Sequence, residues 1–405
     1  MMSAPVPSGT RDSRVLVFSQ RALHRPVWHA WEYELEDLLL RFDDTSLVAP
    51  GRTGLVEPVS AAGRRLANGL VRRVGGRRTF PPNIYPSMQR TRITSDHDLF
   101  FAVIDDPYQL AFLRRLEGWR ERATRTACLL VELWTPDLAA KSDYLELLRD
   151  FDDVYVFNSA VLPGLQPYVG GRTAFLPVGV DALQAAPLPG LPERVLDVYS
   201  FGRNSTGIHQ QLLSLADQRG LTYLYDTVSA TTAPDYAAHR ALMANMMKRA
   251  HYFLAHRIND SPERRARTGG DEGMSTRYFE GMAGGAVLLG SRSLGSDFDH
   301  CFDWEDAVIP LPYDSADVPE RLVELAHQPQ RLARARSANV RNTLLRHDWV
   351  YRWERVLCDS GLSPTPVMQE RRQRLQATAD TVSPEVMQAG PAWGARKGSP
   401  SINVA

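Results

Sequence analysis

Lysine is nearly missing from this chain of 405 residues: it occurs at Lys141, Lys248 and Lys397, so arginine supplies almost all of the positive charge. That bias runs through the whole chain, so a cluster of arginines is weak evidence for a binding patch. A net charge is missing as well, because 47 basic residues cancel 47 acidic ones. This argues against a general nucleic-acid binder, which needs a basic excess to hold the phosphate backbone. Cysteine is scarce: Cys128, Cys301 and Cys358 show no CxxC spacing, which excludes a zinc ribbon or a disulfide framework and fits a reducing cytoplasm. No window approaches the roughly 18 apolar residues that a membrane span requires. The opening MMSAPVPSGTRDSR lacks the apolar core of a secretory signal, and a cytoplasmic protein is expected.

What is present is a long chain of ordinary apolar content, beyond the length at which one core keeps growing, so two domains are expected. RVLVFS at 14–19 and the helically spaced VWHAWEYELEDLLLRF at 27–42 open a β-α pattern. DLFFAVID, TACLLVELW, DVYVFN and RTAFLPVGV continue it, separated by helix-like segments such as PYQLAFLRRLEGWRER. Apolar runs without alternation, interleaved with helices, predict parallel sheets covered on both faces. APLPGLPE at 186–193 breaks both periods, and the pattern then restarts with VLDVYSFG, LTYLYD, HYFLAH, AVLLGS and AVIPLP. The expected organisation is a disordered tail over 1–13, a Rossmann-like domain over 14–185 and a linker over 186–193. A second Rossmann-like domain follows over 194–360, then a disordered tail over 361–405 whose composition turns to Pro, Gln, Ser, Thr and Gly.

In open α/β sheets ligands collect beyond the carboxyl ends of the strands, where helix N-termini also point their N–H groups. In the first half this selects Ser19, Gln20, Asp105, Asp106, Glu132, Trp134, Asn158, Ser159 and Asp181. In the second half it selects Gly202, Arg203 and Asn204, then His256 and Arg257, then the loop SPERRARTGGDEG and the helix behind it. The turn FGRNSTGIHQQ has the glycine spacing of a P-loop, but Ile208 and His209 stand where Lys and Ser or Thr would be, so a nucleoside triphosphatase is rejected. One arginine in a glycine turn entering a helix still suits a diphosphate. The Asp-x-Asp pairs Asp96/Asp98 and Asp297/Asp299 lack the context of a metal site, and no metal or cofactor is expected.

The stretch EGMSTRYFEGMAGGAVLLG carries two glutamates separated by seven residues. Ser275 or Thr276 is placed to cap a helix that stops at Gly284 and Gly285, which leaves Glu272 in the loop at its mouth and Glu280 inside it. The bland alternative is a solvated Glu272 and a surface pair of Glu280 with Arg277. The pattern resembles the E-x7-E signature of GT-B glycosyltransferases of the group 1 type. LPVGVD, FGR and RHDWVYRWERVL lie in the matching order, and TRYFEG with FDDVYVFNSAVLPGLQPYVG is most similar to the spore-maturation-protein branch. The resemblance implies two Rossmann-like domains facing a cleft, with a closing helix that crosses back to the first. It implies transfer of a sugar from a nucleotide donor to a glycan, lipid-linked or small-molecule acceptor, with retention and without a metal. Glu280 would then bind the ribose and Glu272 the donor sugar, while Arg203, Ser275, Thr276, Arg277 and nearby N–H groups hold the diphosphate. The lysine common in that family after the FGR arginine is replaced by Ile208, leaving His209, Arg264, Arg265 or Arg267 as substitutes. Two rival readings stay open, an inactive scaffold that binds a nucleotide sugar or glycan and an epimerase of the same shape. The acid-free stretch Pro58 to Ser95, with arginines from Arg64 to Arg92, is a candidate contact with an anionic membrane face.

Overall fold

A computed structural model describes residues 13–24, 26–52, 88–226 and 235–396. The chain divides into two compact units. Unit 1 comprises Met1–Arg25, Glu36–Leu176 and Val356–Ser363, and unit 2 comprises Pro26–Leu35, Pro177–Arg355 and Pro364–Ala405. The division thus falls at Leu176/Pro177, ahead of the proline-rich segment 186–193 that composition marked as the linker. Of the arginine-rich stretch from Pro58 to Ser95, residues 58–87 lie outside the described residues, as do 1–12 and 397–405 of the two tails. Arg90 faces Glu117 at 3.8 Å and Arg92 lies in a short strand. Among the described residues no helix is long and apolar enough to cross a membrane.

Unit 1 is built on β1 (Val15–Phe18), β2 (Thr45–Val48), β4 (His97–Ile104), β6 (Ala123–Leu130), β7 (Asp153–Val156) and β8 (Arg172–Phe175). They run parallel in the order β2-β1-β4-β6-β7-β8, and β3 (Thr91–Arg92) pairs separately with β5 (Leu116–Glu117). β4 is buried from Leu99 to Ile104, as a strand covered on both faces must be. β2 has no apolar run to announce it, because an edge strand needs no second buried face. The helix-like segment after β4 is a 3-10 helix, Pro107–Arg115, capped by Asp106. It ends before Gly118, whose φ of +82° only glycine adopts readily.

Unit 2 repeats the plan with β9 (Leu196–Ser200), β10 (Tyr223–Tyr225), β11 (Ala250–Ala255), β12 (Val287–Gly290) and β13 (Ile309–Pro310). All run parallel in the order β10-β9-β11-β12-β13, so the loops after them share one edge. The helix Thr276–Ala283 lies tight against this sheet, since a Cβ on Gly281 would come within 2.7 Å of Phe253. The helices Pro329–Arg346 and Trp349–Asp359 are separated at His347 and Asp348, where Val180 and Asp348 form a parallel bridge.

One expectation is overturned here. The stretch 361–405, read as a disordered tail, carries the helix Pro366–Asp380, capped by Thr365. Only Met368, Leu375 and Ala379 are buried on it, too thin a stripe to register as amphipathic. Its anchor is polar: Arg371 donates to Asp348 Oδ2 at 2.6 Å and to Asp181 Oδ1 at 2.7 Å.

Candidate active site

The carboxyl edge of the unit 2 sheet gathers the loops after β9, β11 and β12 around the mouth of the 276–283 helix. The β9 turn is set by Gly202, whose φ of +72° is left-handed, and by Ser205, which caps the next helix by accepting from Ile208 N. Asn204 accepts a hydrogen bond from Ser200, and its carbonyl accepts one from the Tyr313 hydroxyl at 3.0 Å. Ser275 is the cap of the 276–283 helix, as its sequence position suggested, and Thr276 is the first helical residue.

Arg277 is the centre of this edge. It is buried, and its guanidinium donates to Ser275 Oγ at 3.2 Å, to the Arg203 carbonyl at 2.7 Å and to the His256 carbonyl at 3.5 Å. One helix residue therefore ties the β9 and β11 loops together. Arg203 Nη2 reaches the same Ser275 hydroxyl at 3.5 Å. Among the described residues no carboxylate forms an ion pair with Arg277, so two guanidiniums converge on a helix N-terminus. Burial, then the charge of Arg203, pushes the Arg277 pKa down to about 9. An anion placed there would relieve both causes at once.

His256 follows β11 directly and is 1 % exposed. Neither ring nitrogen has a hydrogen-bond partner; Nδ1 stands 3.8 Å from Asp260 and the ring meets Tyr313 edge-on at 5.2 Å. Burial, and then Arg277, lowers its pKa to about 4, so it is a neutral imidazole at physiological pH. Arg257 donates to Asp260 Oδ1 at 2.7 Å and to Glu272 Oε1 at 3.0 Å.

The two glutamates have different surroundings. Glu272 is a crosslink: Oε1 accepts from Arg257 and from Asn259 Nδ2 at 3.1 Å, and Oε2 accepts from Ser293 Oγ at 3.3 Å and Leu294 N at 3.1 Å. These four contacts match the usual acceptor capacity of a carboxylate. Glu280 points elsewhere. Its Oε1 accepts from Arg240 Nη1, while Oε2 is buried without a partner. Arg240, on the helix Tyr236–Lys248, is held in turn by Glu34. The surface pair of Glu280 with Arg277 that spacing allowed is therefore not formed.

Sequence reading missed Arg240, Glu34, Asn259 and Ser293, which lie outside the signature and carry no spacing of their own. The substitutes considered for the absent lysine are engaged elsewhere in part: His209 Nδ1 meets the Tyr223 hydroxyl at 2.9 Å, and Arg265 donates to the Asn259 carbonyl. Asp181, Asp106 and Asn158 serve as helix caps. In unit 1 Asp106 also pairs with Lys141 at 3.0 Å, and Glu132 accepts from the Trp134 indole.

Residues 232–358 match the family model described as glycosyl transferase-like. No curated protein matches the chain significantly. Among solved structures, a UDP-forming α,α-trehalose-phosphate synthase from Burkholderia xenovorans is 12 % identical over 86 % of this chain and 99 % of its own, with a TM-score of 0.47. The Anabaena protein HepE, solved with UDP-glucose, is 13 % identical over 90 % and 100 %, with a TM-score of 0.46. An α-glucosyltransferase solved with UDP and a DNA 13-mer is 8 % identical over 86 % and 100 %, with a TM-score of 0.51. At such identities the likeness concerns the fold, and with the two parallel sheets it shows that the chain has the paired Rossmann-like architecture of the GT-B glycosyltransferases.

Proposed function

We propose that the protein is a glycosyltransferase that moves a sugar from a nucleoside diphosphate donor to an acceptor hydroxyl, with retention and without a metal. The observation that carries this reading is the convergence of Arg203 and Arg277 on Ser275 at the N-terminus of the 276–283 helix. Guanidiniums bind phosphate oxygens bidentately, and the helix end adds N–H donors and a favourable field. As the bond from the anomeric carbon to the diphosphate breaks, its electron pair stays on the diphosphate, where these groups stabilise it. The acceptor oxygen bonds to that carbon and its proton passes to the departing diphosphate. Gly202, Asn204, His256, Arg257 and Thr276 frame the diphosphate, Glu280 takes the ribose, and Glu272 holds the rim against the donor sugar. The acceptor is a glycan, a lipid-linked molecule or a small molecule.

The test is calorimetric titration with UDP, UDP-glucose, GDP and ADP on wild type and on Arg203→Ala. Losing one charge-assisted contact should weaken the preferred diphosphate by roughly 10–100-fold. Equal affinity in the two proteins refutes the diphosphate assignment. The second reading, a binding scaffold without turnover, is favoured by the four protein donors already filling Glu272. Binding of a donor with neither hydrolysis nor transfer across an acceptor panel would establish it.

A further inference from the structure

Glu280 is the carboxylate assigned to the ribose, and its surroundings say how it would act. One oxygen is engaged by Arg240, whose guanidinium is also gripped by Glu34: Nε donates to Glu34 Oε2 at 2.8 Å and Nη2 to Oε1 at 3.3 Å. Glu34 is fixed by two further donors, the Asp181 amide and the Trp349 indole, each at 3.0 Å. All three charged side chains are about nine-tenths buried. Burial opposes the charge on Arg240, yet the attraction of Glu34 and Glu280 raises its pKa overall. The guanidinium is thus a fixed cation whose direction is set from behind by Glu34.

Most buried polar atoms in folded proteins are paired, because an orphaned buried acceptor is costly. Here Glu280 Oε2 is buried and unpartnered. A cavity of about 20 Å³ is lined in part by Glu34, Asp181, Gln184, Arg240, Met247 and Glu280. That is room for one hydroxyl-sized group and too little for a sugar ring.

We infer that Arg240 is a positioning residue for Glu280, aimed by Glu34, and that the clamp presents Glu280 Oε2, the oxygen with no protein donor, to one ribose hydroxyl of the donor. The inference rests on the reading of Glu280 as the ribose contact. Its consequence is unequal reading of the two ribose hydroxyls, because Arg240 already donates to Oε1 while Oε2 has no protein donor.

The experiment measures the affinity of UDP, 2′-deoxy-UDP and 3′-deoxy-UDP, or of the GDP or ADP set if titration selects that base. Wild type, Arg240→Gln, Arg240→Lys and Glu34→Gln are compared, with melting curves to show which variants fold. Wild type should lose about tenfold or more on removal of one hydroxyl and little on removal of the other. Arg240→Gln and Glu34→Gln should bind the parent diphosphate more weakly and no longer distinguish the deoxy forms, while Arg240→Lys regains part of the ratio. If wild type ignores both deletions, the ribose reading of Glu280 fails. If wild type distinguishes them and folded Arg240→Gln keeps the same ratio, the ribose reading stands and the positioning role is overturned. Should Arg240→Gln fail to fold, Glu34→Gln decides by the same ratio, an unchanged value overturning the inference.

Discussion

Arg336 is 3 % exposed on the 329–346 helix, and among the described residues it has neither a hydrogen bond nor an ion pair. Burial pushes its pKa down to about 10, so at neutral pH it remains a charge inside the protein. Replacing a buried charge by an apolar side chain of similar reach removes a desolvation cost, and Arg336→Met should raise stability by about 1 kcal/mol or more. A lower urea midpoint for the variant would contradict this. Arg277 is buried as deeply but differs in position, because it faces an edge where a ligand can supply the missing charge. The two are alike in sequence, both arginines on helices of an arginine-rich chain. Their surroundings alone separate the binding candidate from the burden.

At the scale of elements, the strands were legible wherever both faces are buried. β1, β4 from Leu99, β6 from Ala127 and β7 from Val154 in unit 1, and Val287–Leu289 of β12 in unit 2, stand as continuous apolar runs, since a covered parallel strand has no polar face to write. The helix Pro366–Asp380 was not legible, because its attachment is an ion pair and not a stripe. That attachment is testable. Asp348 is fully buried, burial raises its pKa, and Arg371 opposes that shift by hydrogen bond and charge. Arg371→Ala would leave Asp348 and Asp181 without this cation and should destabilise unit 2 by about 3–5 kcal/mol, read as a fall in the urea midpoint. A truncation at residue 363 should do the same. If either variant unfolds like wild type, the helix is an appendage and not part of the unit.

Across the whole molecule the buried histidines set the response to acid. Burial is the leading cause in each case: His251 is pushed down to about 3, His256 to about 4, and His347 well below its usual value. Between pH 6.5 and 4 the unfolded chain takes up protons that these three sites refuse, so stability falls as pH falls, by up to about 1.4 kcal/mol per unit for each group. Glu36, raised to about 7 by burial, acts in the opposite direction between about pH 4.5 and 7, and so do Asp197 and Asp348, raised from lower starting values, while His239, lowered by burial, adds to the three histidines. The urea midpoint should therefore be lower at pH 5 than at pH 7.5, and a higher one would refute the buried neutral histidines. The amino-acid order alone laid out the two parallel α/β units, a helix cap at Ser275 or Thr276 and the edge of the second sheet where the loops gather. These follow from periodicity and turn chemistry, which are local. Only the tertiary structure decided that Glu272 is a crosslink, that Arg277 binds the loops together, and that Glu280 turns to Arg240 and Glu34. Glu34 and Glu280 are 246 positions apart in the chain. Which oxygen a buried carboxylate keeps for a ligand depends on the donors folding brings to it, and spacing along the chain does not encode that.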